Sequence, residues 1–169
     1  NFADAAPLAL PEDSLRYLLT GSTFAATEES GEKSLHSWGT AGHSVWYLWT
    51  PKLDYRVKLT PQGGHISSRS YWPAVVVFTE GNLDNLVKVA ESPYVYQTMS
   101  YNVDAGKKYY IVVDSLSWNG LHPEEGAFRM LLDVEPIYRN DDFAESVLLA
   151  GNESKTLAEN VWTDKEPDE

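Results

Sequence analysis

Cysteine is missing from all 169 residues, which removes disulfides, thiol nucleophiles and zinc-thiolate sites at one stroke. The apolar core alone must hold the fold, and export remains open because many exported bacterial proteins use no disulfides. No apolar run approaches eighteen residues, so nothing reads as a membrane span, and no signal peptide is visible. The first residue is Asn1 rather than Met, and the chain reads as a piece excised from something longer. Basic residues are few: 13 Lys and Arg stand against 25 Asp and Glu, a formal net charge of −12. Such a chain repels a phosphate backbone, which excludes nucleic acid as a partner. The signatures of catalysis are missing as well, with no HExxH, no GxSxG and no GxxxxGK. Residues 30–33 ("SGEK") match Ser-x-x-Lys in form only, inside an acidic, glycine-containing loop. His36, His43, His65 and His122 are scattered without ligand spacing, and among so many carboxylates no glycosidase-like pair stands out.

Rings and strands are what the sequence has in plenty. Six Trp and ten Tyr accompany recurrent period-two alternation, the pattern of side chains on a pleated, half-buried surface. Strands are expected at 15–27, 44–50, 55–60, 74–79, 86–90, 97–103, 108–115 and 127–134. Turn signals separate them at Pro61 with Gly63-Gly64, Glu80-Gly81-Asn82, Asp104-Ala105-Gly106 and Asn119-Gly120. About eight short strands at even spacing predict an all-β fold, an antiparallel sandwich or barrel. "SVWYLWT" (44–50) is apolar on both faces, so its strand is central and Trp46 and Trp49 belong to the core. "YYIVVDS" reads the same way. "FADAAPL" and "DFAESVLL" each have the look of a short helical turn.

The second of those segments repeats the first. Phe2-Ala3-Asp4 aligns with Phe143-Ala144-Glu145 and Leu8 with Leu149, and then 26–32 aligns with 163–169. Self-similarity at a period of about 140 residues is the mark of an array. The expected organisation is one β-sandwich module at 1–137, followed by a linker and the first strands of a truncated second repeat at 138–169. Those spare strands, 142–163, would expose unpaired edges and Trp162 if left alone. They are expected to pack on the first module or on a neighbouring chain, a strand-swapped dimer through exchange with 15–27.

Taken in order, "FADAAPL", "TGSTFAATEESGE", "SVWYLWTP", "AVVVFTEGNLDNLVKVA", "DAGKKYYIVVDS" and "GAFRMLLDV" resemble the bacterial pre-peptidase C-terminal domain family. The likeness covers about 1–135 in full and 140–169 in part. It implies a non-catalytic, jelly-roll-like antiparallel β-sandwich of secreted or cell-surface bacterial proteins. Such modules accompany peptidases, glycoside hydrolases and adhesins. Some relatives bind collagen or polysaccharide, and some bind calcium at the linker between modules. Carried over onto "DVEPIYRNDD", the calcium ligands would be Asp133, Glu135, Asn140, Asp141 and Asp142, oxygen donors of the kind hard Ca²⁺ prefers. The plain reading of the same stretch is a solvated linker with a helix N-cap at Asn140 or Asp141. The sequence departs from the family at "ESPYVY" (91–96) and Tyr71-Trp72-Pro73, where many members carry acids.

Rings in loops can form flat platforms for sugars or peptide side chains. The candidates are Trp38, Tyr71, Trp72, Tyr94 and Trp118, with Asn119 beside the last; the competing reading folds them back as lids on the sandwich. The function expected is a non-enzymatic accessory module of a tandem-repeat extracellular protein, binding polysaccharide or another surface ligand. The alternative is a structural spacer that calcium makes rigid at each linker.

Overall fold

The computed structural model describes residues 1–10, 15–29, 42–63, 65–66, 69–70, 73–92, 97–115 and 125–137. In chain order its strands are β1 (Ala6–Pro7), β2 (Arg16–Ser22), β3 (Val45–Trp49), β4 (Tyr55–Gly63), β5 (His65–Ile66), β6 (Arg69–Ser70), β7 (Pro73–Thr79), β8 (Val87–Glu91), β9 (Met99–Val103), β10 (Tyr109–Ser115) and β11 (Ala127–Pro136). A single 3-10 turn, Leu83–Asn85, interrupts them among the described residues. One sheet has the order β1-β3-β10-β7-β8, and the other β2-β11-β4-β9. Early strands pair with late ones, β2 with β11, β3 with β10 and β4 with β9, and the chain doubles back at the β7–β8 hairpin. This nested pairing is the wrap of a jelly roll. All eight expected strands are present, and the small β5–β6 ribbon is an addition.

Burial follows the alternation. Along β11 every second side chain, Phe128, Met130, Leu132 and Val134, is buried against the other sheet. Val57 and Leu59 of β4, Val75 and Val77 of β7, and Ile111 and Val113 of β10 complete that inter-sheet core. β3 is apolar on both faces for a reason the structure makes plain. Tyr47 and Trp49 point into the inter-sheet core, while Trp46 joins Val76, Phe78 and Val112 in a second cluster on the outer face. Trp46 is 1% exposed and Trp49 4%, so both are core residues as expected. Phe2 seals the outer cluster, its ring edge-on to Trp46 at 5.2 Å and tilted on Tyr110 at 4.6 Å. Burying each such large side chain stabilises the fold by roughly 1.5–3 kcal/mol.

Three expectations are corrected. "FADAAPL" makes a turn, with Ala5 N–H donating to the Phe2 carbonyl, and then the two-residue β1, which pairs parallel with β3 instead of going helical. Pro61 and Gly63 lie inside β4, not in a turn. Beyond Leu59, β4 is paired with β11 alone, and a one-sided strand accommodates proline. The strand expected at 15–27 stops at Ser22, because Ala25 takes a left-handed backbone (φ 60°) that no strand can continue.

Candidate functional site

The jelly-roll wrap sorts the connections into two ends. β2, β4, β8 and β10 all run toward one end, and the connections that leave them there are 23–44, 64–72, 92–98 and 116–126. Contacts between the described flanks tie this end together. Thr23 N–H donates to the Gly126 carbonyl at 2.9 Å, and Gly42 and His43 N–H groups donate to Asp114 Oδ1 at 3.3 and 3.0 Å. Ser92 N–H donates to the Val75 carbonyl at 2.9 Å. The connections at the opposite end are 8–15, 50–54, 80–86 and 104–108.

Trp38, Tyr71, Trp72, Tyr94, Trp118 and Asn119 lie outside the described residues, but every one belongs to a connection anchored at the first end. With Phe24 and Tyr96, seven rings fall in these four connections, whereas the four at the other end contain no Phe, Tyr or Trp. The described part of this loop end is acidic. Asp114 is fully buried and organises the start of β3 through its two backbone donors. His43 Nδ1 stands 2.5 Å from the Ala26 carbonyl oxygen, which gives that nitrogen the proton, and 3.3 Å from Glu125 Oε1. Glu29 accepts a hydrogen bond from the Phe2 N–H, which brings the N-terminal segment to the same end.

Sequence reasoning passed over Phe24, which is 75% exposed at the tip of the turn after β2. The signal was there: a run of thirteen residues (15–27) is long for one strand, so a turn had to fall inside it.

The acidic candidates sit at the other end. Asp133 and Glu135 share the outer face of β11, each held by a cation. Arg16 Nε is 2.5 Å from Asp133 Oδ1 and its Nη2 3.2 Å from Oδ2. This pairing raises the pKa of the guanidinium, chiefly through the hydrogen bond to Asp133. Lys58 Nζ is 2.8 Å from Glu135 Oε1, with Arg56 3.9 Å from Oε2. Calcium takes about six to eight oxygens, and these two carboxylates, already engaged, do not fit such a cage by themselves. Asn140, Asp141 and Asp142 lie outside the described residues. No group of three or more His, Asp or Glu among the described residues is placed to hold a metal ion.

A cleft of about 400 Å³ opens beside β1, lined mainly by Leu8, Leu10, Tyr17, Trp49, Tyr55 and Val134. Its lining also includes Thr50 and Lys52. No helix among the described residues is long and apolar enough to cross a membrane.

The described residues define a jelly-roll β-sandwich, and the four connections whose sequences carry rings leave strands that run toward one end. No protein-family model matches the chain, and no curated protein matches it. Among solved structures it is similar to PliG of Aeromonas hydrophila, described as a periplasmic lysozyme inhibitor of g-type lysozyme. That match has 12% identity and a TM-score of 0.50, covering 78% of this chain and 96% of that one. The pre-peptidase C-terminal domain of collagenase from Bacillus anthracis matches at 16% identity and a TM-score of 0.43, covering 78% and 95%. At these identities the likeness is one of fold.

Proposed function

We propose that this chain is a non-catalytic module of an exported bacterial protein that holds a polysaccharide at the loop end of its sandwich. The observation that carries the reading is the segregation of rings: all four connections at one end bear them, and none at the other does. A random scatter of surface aromatics has no reason to respect strand direction. The fold likeness to a periplasmic lysozyme inhibitor supports an exported, non-catalytic class, and the order of family-like motifs supports an accessory module in a tandem array. Tethering by such modules raises the local concentration of whatever they carry without any catalytic contact.

The test is retention on a panel of insoluble polysaccharides, with Trp72→Ala and Trp118→Ala as loss variants. Each should weaken binding about tenfold, as central aromatic anchors do. Leu53→Ser, at the opposite end and 49% exposed, should bind as the parent does. Retention that survives both tryptophan changes overturns the reading.

A further inference from the structure

Of the edges of the two main sheets, β2 is the one left open. β1 is two residues long. β8 carries Lys88, paired with Glu91 at 2.9 Å, and a bulge at Val77/Phe78 breaks its register with β7. β9 lies against β8, which closes the sandwich on that side. Short strands, charges and bulges are the ordinary protection of an edge against pairing with another chain. β2 has little of it: seven residues, no proline, and one charge, Arg16, at its first position and held by Asp133. No described strand pairs with its far side. The direction of its backbone groups follows from its flanks. The Leu15 carbonyl accepts the Val134 N–H at 2.8 Å and Thr23 N–H donates to the Gly126 carbonyl at 2.9 Å, so the odd-numbered residues face β11. Backbone groups alternate sides along an antiparallel strand, which turns the N–H and C=O groups of Leu18, Thr20 and Ser22 to the open edge. The Leu18 side chain is 58% exposed beside half-buried Leu131. Residues 15–22 hold no Asp or Glu on a chain of net charge −12. The charged neighbours across the ladder are Arg129, opposite Thr20, and Asp133, opposite Arg16. Glu12 and Asp13 precede the strand and lie outside the described residues.

We infer that β2 pairs antiparallel with β2 of a second copy about a two-fold axis, joining two four-stranded sheets into one of eight. The edge is self-complementary: the same open backbone groups serve both copies, and an acid-free strand lets two acidic chains meet. Even-numbered residues must stand opposite one another for the hydrogen bonds to form. Centring the axis on Leu18 sets leucine on leucine, in a row that runs Leu131, Leu18, Leu18, Leu131 across the joint. Centring it on Leu19 would set Leu18 against Thr20, and centring it on Thr20 would leave Leu18 against Ser22. The contact is small, below the roughly 1,200 Å² of standard interfaces, so the dimer forms only as concentration rises. Because β2 runs toward the loop end, the two loop ends of a pair point in opposite directions. The pair therefore bridges rather than doubles what those ends hold.

Sedimentation equilibrium from about 10 μM to about 1 mM should show the parent passing from monomer to dimer. Leu18→Lys puts a charge on the edge without touching the ladder to β11, and should weaken the dimer about tenfold or more while Tm at low concentration holds. The same change reduces the net negative charge, so a general loss of repulsion predicts the opposite. Val87→Lys, at a position 55% exposed on β8, should associate as the parent does. The chain has no cysteine, so Leu18→Cys carries a single thiol. Mild oxidation should link two copies of it, because paired Cα atoms lie about 5.5 Å apart, within disulfide reach. Thr20→Cys, about 14 Å from its counterpart in that register, should not link. A monomer at every concentration overturns the proposal, and so does a dimer that survives Leu18→Lys. Linking at position 20 and not at 18 overturns the register.

Discussion

Tyr101 lies on β9, 7% exposed, with no hydrogen-bond partner for its hydroxyl among the described residues. Burial pushes its pKa far above the ordinary value near 10, and the neighbouring Tyr109 adds to the shift. The unfolded chain ionises this tyrosine from about pH 10 upward; the folded chain does not. Above pH 10 the native state therefore carries the extra proton, and stability must fall as pH rises. Integrated to pH 11.5, the loss is about 2 kcal/mol for this one side chain. Tyr101→Phe removes that loss. At pH 7 it also removes a buried hydroxyl lacking a partner, worth about 1 kcal/mol of stabilisation. In a chain of this size that is a rise of about 2–4 °C in Tm. Thermal melts of parent and variant at pH 7, 9, 10.5 and 11.5 should show a gap that is constant to pH 9 and then widens. Tyr47, whose pKa burial also raises, destabilises both proteins alike at high pH and leaves the gap untouched. A gap of constant size from pH 7 to 11.5, or a variant less stable at pH 7, refutes the reasoning.

Gly21 faces the core so closely that an added Cβ would lie 2.5 Å from both Phe128 Cζ and Tyr47 Oη. Gly21→Ala should cost about 1–3 kcal/mol in denaturant titration; Gly106→Ala, at φ 75° with open space around it, should cost about 1 kcal/mol through backbone strain alone. Asp114→Ala strips the Gly42 and His43 N–H groups of their acceptor, and a loss of about 2–3 kcal/mol is expected in the same assay. If the linker acids hold calcium, Arg16 competes for Asp133. Arg16→Ala should then enlarge the Tm gain from millimolar Ca²⁺, and an unchanged gain removes Asp133 from the ligand set.

Alternation made the eight sandwich strands legible, because each has at least one face against a core and most of them show it in the choice of residues. It also made the outer cluster legible: a strand with tryptophan on both faces has to be covered twice, as Trp46 and Trp49 are. Strand direction was countable too. Once eight strands wrap as a jelly roll, alternate connections leave from one end, so chain order alone assigns Trp38, Tyr71, Tyr94 and Trp118 to connections of the same set. What sequence could not show depended on partners far away in the chain. β1 is two residues held by Tyr47 and Leu48. Pro61 is tolerated in β4 through one-sided pairing, and the left-handed Ala25 exists because Glu125, a hundred residues on, accepts its N–H. Asp133 and Glu135 became ligand candidates through the family resemblance, and the cations opposite them are visible only in register.

The N-terminal segment enters beside Glu29 at the loop end, whereas Ile137 leaves β11 at the opposite end. In a tandem array, that makes the string polar, each module's loop end facing the tail of the one before. If 138–142 is such a joint, its five residues would reach about 17 Å at most. Loop ends of inner modules would thus be crowded by their predecessors, and the number of copies would not equal the number of ligands held. Valency would be set by how far each short joint can bend.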